Sequence, residues 1–342
     1  METIDQVGRA YGFQTILPPI AERTSLFQRS LGSSTDVVSK EMYSFVDQGG
    51  DHISLRPEFT AGIARAYIEH GMLNLPQPVK LMTSGPCFRH ERPQAGRFRQ
   101  FWQFDFETVG DAQPMVDAEL IVLSVAIYHS LGIEVVVQIN SIGTPQSREK
   151  YKDVLVDYYK TKKRQLCMDC QKRLTKNPLR LLDCKVPTCQ QIAQEAPQIV
   201  DYLDEESREH FVQVLEYLDE SEITYALNPR LVRGLDYYTR TVFELWATDD
   251  ETGQSALLAG GRYDGLIEFL GGRSTPACGF ALGLDRTVAK LQAIHADLPL
   301  DVVDVFVSQL GESARKKALR LFGDLRRAGF AVFQQFTKNG LK

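Results

Sequence analysis

Long apolar runs are missing from this 342-residue chain. The longest charge-free apolar stretch lies between Glu119 and Glu134, too short to span a bilayer as a helix. No basic segment followed by an apolar one opens the chain, so no membrane contact or secretion is expected. An excess of positive charge is missing too. Lys and Arg number 39 against 44 Asp and Glu, a formal net charge of −5, which argues against a protein that grips nucleic acid by overall charge. Cysteine is sparse, at six residues, and reduced thiols in the cytoplasm are the default expectation. What is present is ordinary: 43% hydrophobic and 24% charged residues, enough for roughly two domains and ample core.

The densest chemistry lies in "FRHERPQAGRFRQFWQFDFE", residues 88 to 107. Alternation marks a strand with two different faces, because extended side chains point to opposite sides at every step. Phe98, Trp102, Phe104 and Phe106 fall on one side; Arg97, Arg99, Phe101, Gln103, Asp105 and Glu107 fall on the other. A second extended run, "KLMTSGPCFR" from Lys80, precedes it. Paired as a hairpin, the two bring Arg89 across from the polar row. That makes a floor of guanidinium, aromatic ring, amide and carboxylate, suited to a zwitterionic or phosphorylated ligand.

Elsewhere the sequence predicts a short helix ending at Gly12 and then an extended "QTILPPI". It predicts a hairpin turning at Gly49 and Gly50, a helix through "TAGIARAYIEHG" and a buried helix from Pro114 to Gly132. A β-branched strand, "IEVVVQIN", follows. Residues 1–143 and 223–298 read as two parts of one sheet-based domain, interrupted by a charged helical insertion at 144–222. A βαβ unit starts at "VVDVFVSQL", and the chain is expected to stop before it closes. The insertion carries a basic face, Lys160, Lys162, Lys163, Arg164, Lys172, Arg173, Lys176 and Arg180 against Asp169, equally readable as a solvated helix surface or as a contact for RNA. "LRPEFT" sets Arg56, Glu58 and Thr60 in a polar row. "RLVRGLDYYTRTVFE" groups Arg233, Asp236, Tyr237 and Tyr238 around Gly234, "LLAGGRYDG" supplies backbone freedom, and "CGFALGLDR" leads to Arg286.

Jointly, "FRHERP", "RFRQF", "LVRGLDYYTRTVFE", "AGGRYDG" and "GFALGLDR" resemble motif 2, the two histidine-family motifs and motif 3 of class II histidyl-tRNA synthetases. The resemblance implies an α+β fold: an antiparallel catalytic sheet flanked by helices, a helical insertion, and at 299–342 a partial anticodon-binding α/β domain. It implies activation of histidine with ATP and Mg2+, then transfer to the 3′ end of tRNA(His), by a cytoplasmic homodimer. By that resemblance Arg89 and Arg233 serve the reacting phosphate. Arg89, Glu91, Arg97, Phe101 and Arg286 bind ATP, and Glu58, Thr60, Gln103, Glu107, Arg233, Tyr237 and Tyr238 bind histidine. Gln94 and Arg99 face the tRNA acceptor end.

Three departures stand out. Phe59 replaces the glycine of the family's "EGT" and is expected to reshape the wall near Thr60. The chain starts inside the motif 1 helix, which puts dimerisation in question, and the last domain is expected to be cut to its first half. Cys167, Cys170, Cys184 and Cys189 approach zinc-ribbon spacing with a loose second pair. A serine can stand at the Cys184 position in the family, which argues against a required metal, so reduced thiols with no metal are the default reading and zinc is the alternative. Two rivals are a histidine-sensing regulatory subunit of ATP phosphoribosyltransferase and a non-catalytic tRNA-binding module. The retained Arg89, Arg233 and Arg286 place both behind the ligase.

Overall fold

The computed structural model describes residues 1–32, 35–91, 96–249, 256–294, 303–309 and 311–334. Met1–Leu291 form one compact unit and Gln292–Lys342 a second. In chain order the first contains α1 (Glu2–Ala10), β1 (Gln14–Thr15), β2 (Ala21–Arg23), α2 (Thr24–Leu31), β3 (Ser44–Val46), β4 (His52–Leu55), α3 (Thr60–Glu69), β5 (Val79–Phe88), β6 (Gln100–Val109), α4 (Pro114–Ser130) and β7 (Val135–Ser141). Four helices follow: α5 (Pro145–Lys162), α6 (Met168–Lys176), α7 (Pro187–Gln194) and α8 (Glu205–Glu220). Then come β8 (Tyr225–Leu227), β9 (Thr239–Ala247), β10 (Leu258–Arg262), α9 (Leu266–Phe269), β11 (Ala277–Gly283) and α10 (Leu284–Ile294).

The main sheet has the order β1-β5-β6-β11-β10-β9-β7-β8. Its six central strands are antiparallel, and only the edge strands β1 and β8 pair in parallel. This is the expected helix-flanked antiparallel sheet. A smaller sheet, β2-β4-β3, contains the hairpin whose turn carries Gly50 at φ +88°. Of "QTILPPI" only Gln14–Thr15 pairs as a strand, because its two prolines cannot donate to a ladder.

Alternation along β6 divides its side chains between two layers. Phe104 and Phe106 join Ile4 of α1, Leu120 and Ile127 of α4, and Val214 of α8 in one core cluster. The second cluster holds Phe59, Ile63 and Tyr67 beside Tyr151, Tyr159 and Leu174 of α5 and α6. The strand starts at Gln100, later than the alternation predicts. Phe98 lies ahead of it, and Phe98 and Trp102, expected on the apolar face, are 52% and 39% exposed.

The second unit corrects one expectation. β12 (Val305–Val307), α11 (Glu312–Arg327) and β13 (Val332–Gln334) form a closed βαβ unit with parallel strands. Gly329, at φ +92°, allows the sharp exit from α11 that leaves room for β13.

Candidate active site

A cavity of about 290 Å3 opens over β6, β9, β10 and β11. Two opposite kinds of chemistry meet in it.

One part is acidic. Glu58 precedes α3, and its Oε1 accepts a hydrogen bond from the backbone N–H of Ala61 (3.0 Å), satisfying one of the free donors at the helix start. Its Oε2 and both carboxylate oxygens of Asp105 are buried with no hydrogen-bond partner among the described residues. Glu107 is 1% exposed. Its Oε1 accepts from the Thr60 hydroxyl (2.6 Å), and its Oε2 from the hydroxyl of Tyr263. Burial raises all three acids. Glu107 is pushed up to about 8, although Thr60 and Tyr263 pull it down. Asp105 rises well above the carboxylate range through burial and then through repulsion from Glu107 and Glu58. The sheet register makes the space. Gly279 of β11 stands directly opposite Glu107, and a Cβ there would sit 1.6 Å from Glu107 Oε2. Only glycine admits the carboxylate at that point.

The other part is basic. Arg89, just beyond β5, donates from Nε to the carbonyl of Pro57 (2.9 Å) and lies 5.1 Å from the Phe101 ring centroid. Arg97 pairs with Glu91 at 3.2 Å. Arg286, near the start of α10, donates to the carbonyls of Gly96 (3.2 Å) and Ala256 (2.7 Å). Arg233 pairs with Glu244 of β9, stands 5.4 Å from the Tyr238 ring and keeps its Nε unpartnered.

Of the residues expected at a site, Glu58, Thr60, Arg89, Glu91, Arg97, Phe101, Gln103, Arg233, Tyr237, Tyr238 and Arg286 all line this one cavity. Glu107 does not reach its surface; it lies behind Thr60 and Tyr263, which do. Arg99 is exposed outside the lining, and its carbonyl accepts from the Arg89 N–H (2.9 Å). Gln94 falls outside the described residues. Phe98 and Trp102 line the cavity instead of the core.

Phe59 corrects another expectation. Its ring is 1% exposed and packs in the core, with the Arg56 guanidinium 4.0 Å above it. Gly85 makes the space: a Cβ there would lie 2.7 Å from Arg56 Nη2. The ring therefore forms no wall of the cavity.

The sequence reading missed several site residues. Tyr263 was hidden in "AGGRYDG", where the glycines drew the attention. Asp105 was read as part of the polar row and given no role. Asp183 and Lys185 of the helical segment also line the cavity, as does Glu244. Behind Tyr263, Arg262 is fully buried and donates to Asp117 of α4, with Nε to Oδ2 at 3.0 Å. Burial pushes Asp117 up most strongly, but the charge and hydrogen bonding of Arg262 and His210 together outweigh it and hold Asp117 down at about 2. This pair fixes β10 to α4 and so fixes the direction of Tyr263.

An antiparallel sheet with an arginine just past one strand of its hairpin, another near the start of the helix after β11, and an acidic pocket between them is the construction of a class II aminoacyl-tRNA synthetase. Residues 1–287 match the family model described as histidyl-tRNA synthetase, and the chain belongs to that family. It is 47% identical over 342 residues to the histidine–tRNA ligase of Desulfitobacterium hafniense, covering 99% of this chain and 78% of the relative. It is 46% identical over 339 residues to that of Desulforamulus reducens, covering 98% and 81%. Among solved structures it is similar to apo histidyl-tRNA synthetase from S. aureus, with a TM-score of 0.77, 37% identity and coverage of 99% of this chain and 80% of that one. A protein from Bacillus halodurans titled ATP phosphoribosyltransferase regulatory subunit/histidyl-tRNA synthetase shares the fold at 21% identity, with a TM-score of 0.70.

Proposed function

We propose that this chain is a histidine–tRNA ligase that activates histidine with ATP and transfers it to tRNA(His). One observation carries the reading: unpartnered buried carboxylates and four arginines line the same cavity. A zwitterionic amino acid with a cationic end and a carboxylate end bridges those two halves, and a nucleotide triphosphate fills the basic one.

In this reading Glu58, Thr60 and Gln103 take the α-amino group, with Asp105 adding a second acceptor. Tyr237, Tyr238 and Tyr263 surround the imidazole, and Glu107 polarises that wall through Thr60 and Tyr263. Adenine stacks on Phe101 with Arg286 on its far side, Glu91 meets its edge, and Arg97 meets the terminal phosphates. The histidine carboxylate oxygen attacks the α-phosphorus, the bond to the β-phosphate bridging oxygen breaks, and pyrophosphate leaves with those electrons. Arg89 and Arg233 stabilise the charge gathering on the α-phosphoryl oxygens. No protein base is needed for this step, since the nucleophile is already an anion. Mg2+ would accompany ATP, held chiefly by phosphate oxygens and water, and would offset phosphate charge; Glu91 and Glu244 of the cavity lining already pair with Arg97 and Arg233. In the second step the terminal ribose hydroxyl of tRNA attacks the histidyl carbonyl and AMP leaves.

Lys163, Arg164, Lys172 and Lys176 are exposed and form no ion pair among the described residues, which supports a face for the acceptor-stem phosphates. We assign 144–222 as the insertion carrying that face and 299–342 as part of an anticodon-binding domain. A homodimer is supported by Leu17, Ile20, Phe45 and Val46, exposed on and beside the small sheet. No described helix is long and apolar enough to cross a membrane, and we place the enzyme in the cytoplasm.

Histidine-dependent exchange of label between pyrophosphate and ATP tests the proposal. A histidine-sensing subunit or a tRNA-binding module gives no exchange. Arg233→Ala is expected to abolish exchange while histidine still binds in a direct titration; undiminished exchange removes Arg233 from the mechanism.

A further inference from the structure

We infer that Cys167, Cys170, Cys184 and Cys189 bind one structural zinc ion, which anchors the segment supplying Asp183 and Lys185 to the active-site wall. In the sequence the second pair is loosely spaced, which leaves reduced thiols as the default and zinc as the alternative. The fold closes that gap. Cys167 caps α6 and Cys170 lies in its first turn, Cys184 follows the short turn at Pro178–Leu181, and Cys189 lies in the first turn of α7. All four sulfurs lie within 4.8 Å of one another, and those of Cys167 and Cys184 are 3.9 Å apart. Tetrahedral Zn2+ with Zn–S bonds of about 2.3 Å requires sulfurs about 3.8 Å apart, so the four need only small movements.

The surroundings suit thiolates. The N–H of Cys170 donates to Cys167 Sγ (3.4 Å) and that of Cys167 to Cys189 Sγ (3.2 Å). The starts of α6 and α7 both face the cluster, favouring negative charge there. Cys170, Cys184 and Cys189 are buried among Leu166, Leu174 and Leu181, which shields the site from water and from competing ligands. On binding, each thiol gives up its proton and the sulfur lone pair forms the bond to Zn2+, with no change of oxidation state. Cys184 stands between Asp183 and Lys185, and both of these line the active-site cavity. A metal clamped there fixes their backbone.

The test uses the whole chain, purified under reducing conditions without added metal or chelator, and counts zinc by mass spectrometry. One zinc per chain is expected, with the four thiols protected from a thiol reagent until a chelator is added. Added alone to the metal-free chain, Co2+ is expected to give the absorption bands of tetrahedral thiolate coordination. Cys170→Ser should lose the zinc, and Cys87→Ser, outside the cluster, should keep it. Four reactive thiols with no zinc and no cobalt spectrum overturn the proposal. So does a mass deficit showing disulfides, or iron in place of zinc. If Cys170→Ser fails to fold, the cobalt spectrum and zinc count of the unaltered chain still decide. None of these readouts depends on histidine activation, so their failure is distinct from failure of the proposed function.

Discussion

Tyr263→Phe isolates the residue that sequence reasoning overlooked. The hydroxyl donates to a carboxyl buried beneath Gly279, and its removal leaves Glu107 Oε2 without a partner, since the other oxygen is held by Thr60. Glu107 titrates at about 8, so below that pH the lost interaction is mostly with a neutral acid, worth about 1 kcal/mol, and above it with an ion, worth about 1.5–3 kcal/mol. Converted to rates, the ceiling on the loss in kcat/KM for histidine is roughly fivefold below the titration and roughly ten- to 150-fold above it. Because that hydrogen bond also lowers the Glu107 pKa, its removal moves the titration upward. The assay is pyrophosphate exchange with histidine varied at saturating ATP across the titration, with a urea unfolding curve as control. A growing deficit with pH, confined to histidine, is expected. A loss shared equally by ATP, or one that is flat with pH, refutes the argument that Tyr263 acts through Glu107.

Glu107→Gln should flatten the pH dependence of stability. The folded chain keeps the Glu107 proton up to about 8, whereas the unfolded chain releases it near 4.5, so stability falls as pH rises through that window and levels off above it. Thermal melts across the window show the slope in the native chain and a shallower one in the variant. Asp117→Ala should destabilise Met1–Leu291 by up to about 3–5 kcal/mol, because fully buried Arg262 loses its buried carboxylate and keeps only the partly exposed Asp264 as an ion-pair partner; denaturant unfolding measures this, and a change below about 1 kcal/mol, roughly the worth of an exposed pair, contradicts the account.

Local signals in the sequence were strong wherever one element decides the outcome. The alternation of "QFWQFDFE" located β6 and its polar face, and glycine at the turns located the β3–β4 hairpin and the end of α3. The signal failed where two elements share the decision. Phe98 and Trp102 share the spacing of Phe104, yet Phe98 lies ahead of the strand and Trp102, near its start, stays 39% exposed. Tyr263 gained its meaning from Glu107, a residue two strands away across β11, and Arg262 from Asp117 on a different layer. Neither partnership has a local period. The four cysteines had the right number and an uneven spacing, and only the packing of α6 against the turn at Pro178–Leu181 brought their sulfurs together.

The acidic half of the cavity carries a thermodynamic consequence. Glu58, Asp105 and Glu107 are each raised by burial, and Asp105 is raised further by the other two. In the unliganded chain Glu107, at about 8, therefore keeps its proton at neutral pH, and burial biases Glu58 and Asp105 toward the protonated form. A bound ammonium reverses the electrostatics, since an opposite charge nearby favours the carboxylate form. In the proposed reading histidine binding is thus coupled to proton release, whereas ATP, assigned to the basic half, is not; either substrate raises stability by binding the folded chain. The two substrates differ in this respect because the sheet order sets β6 beside β11, holding Glu107 opposite Gly279 and Asp105 next along the strand face, while the arginines enter from segments just beyond the strands.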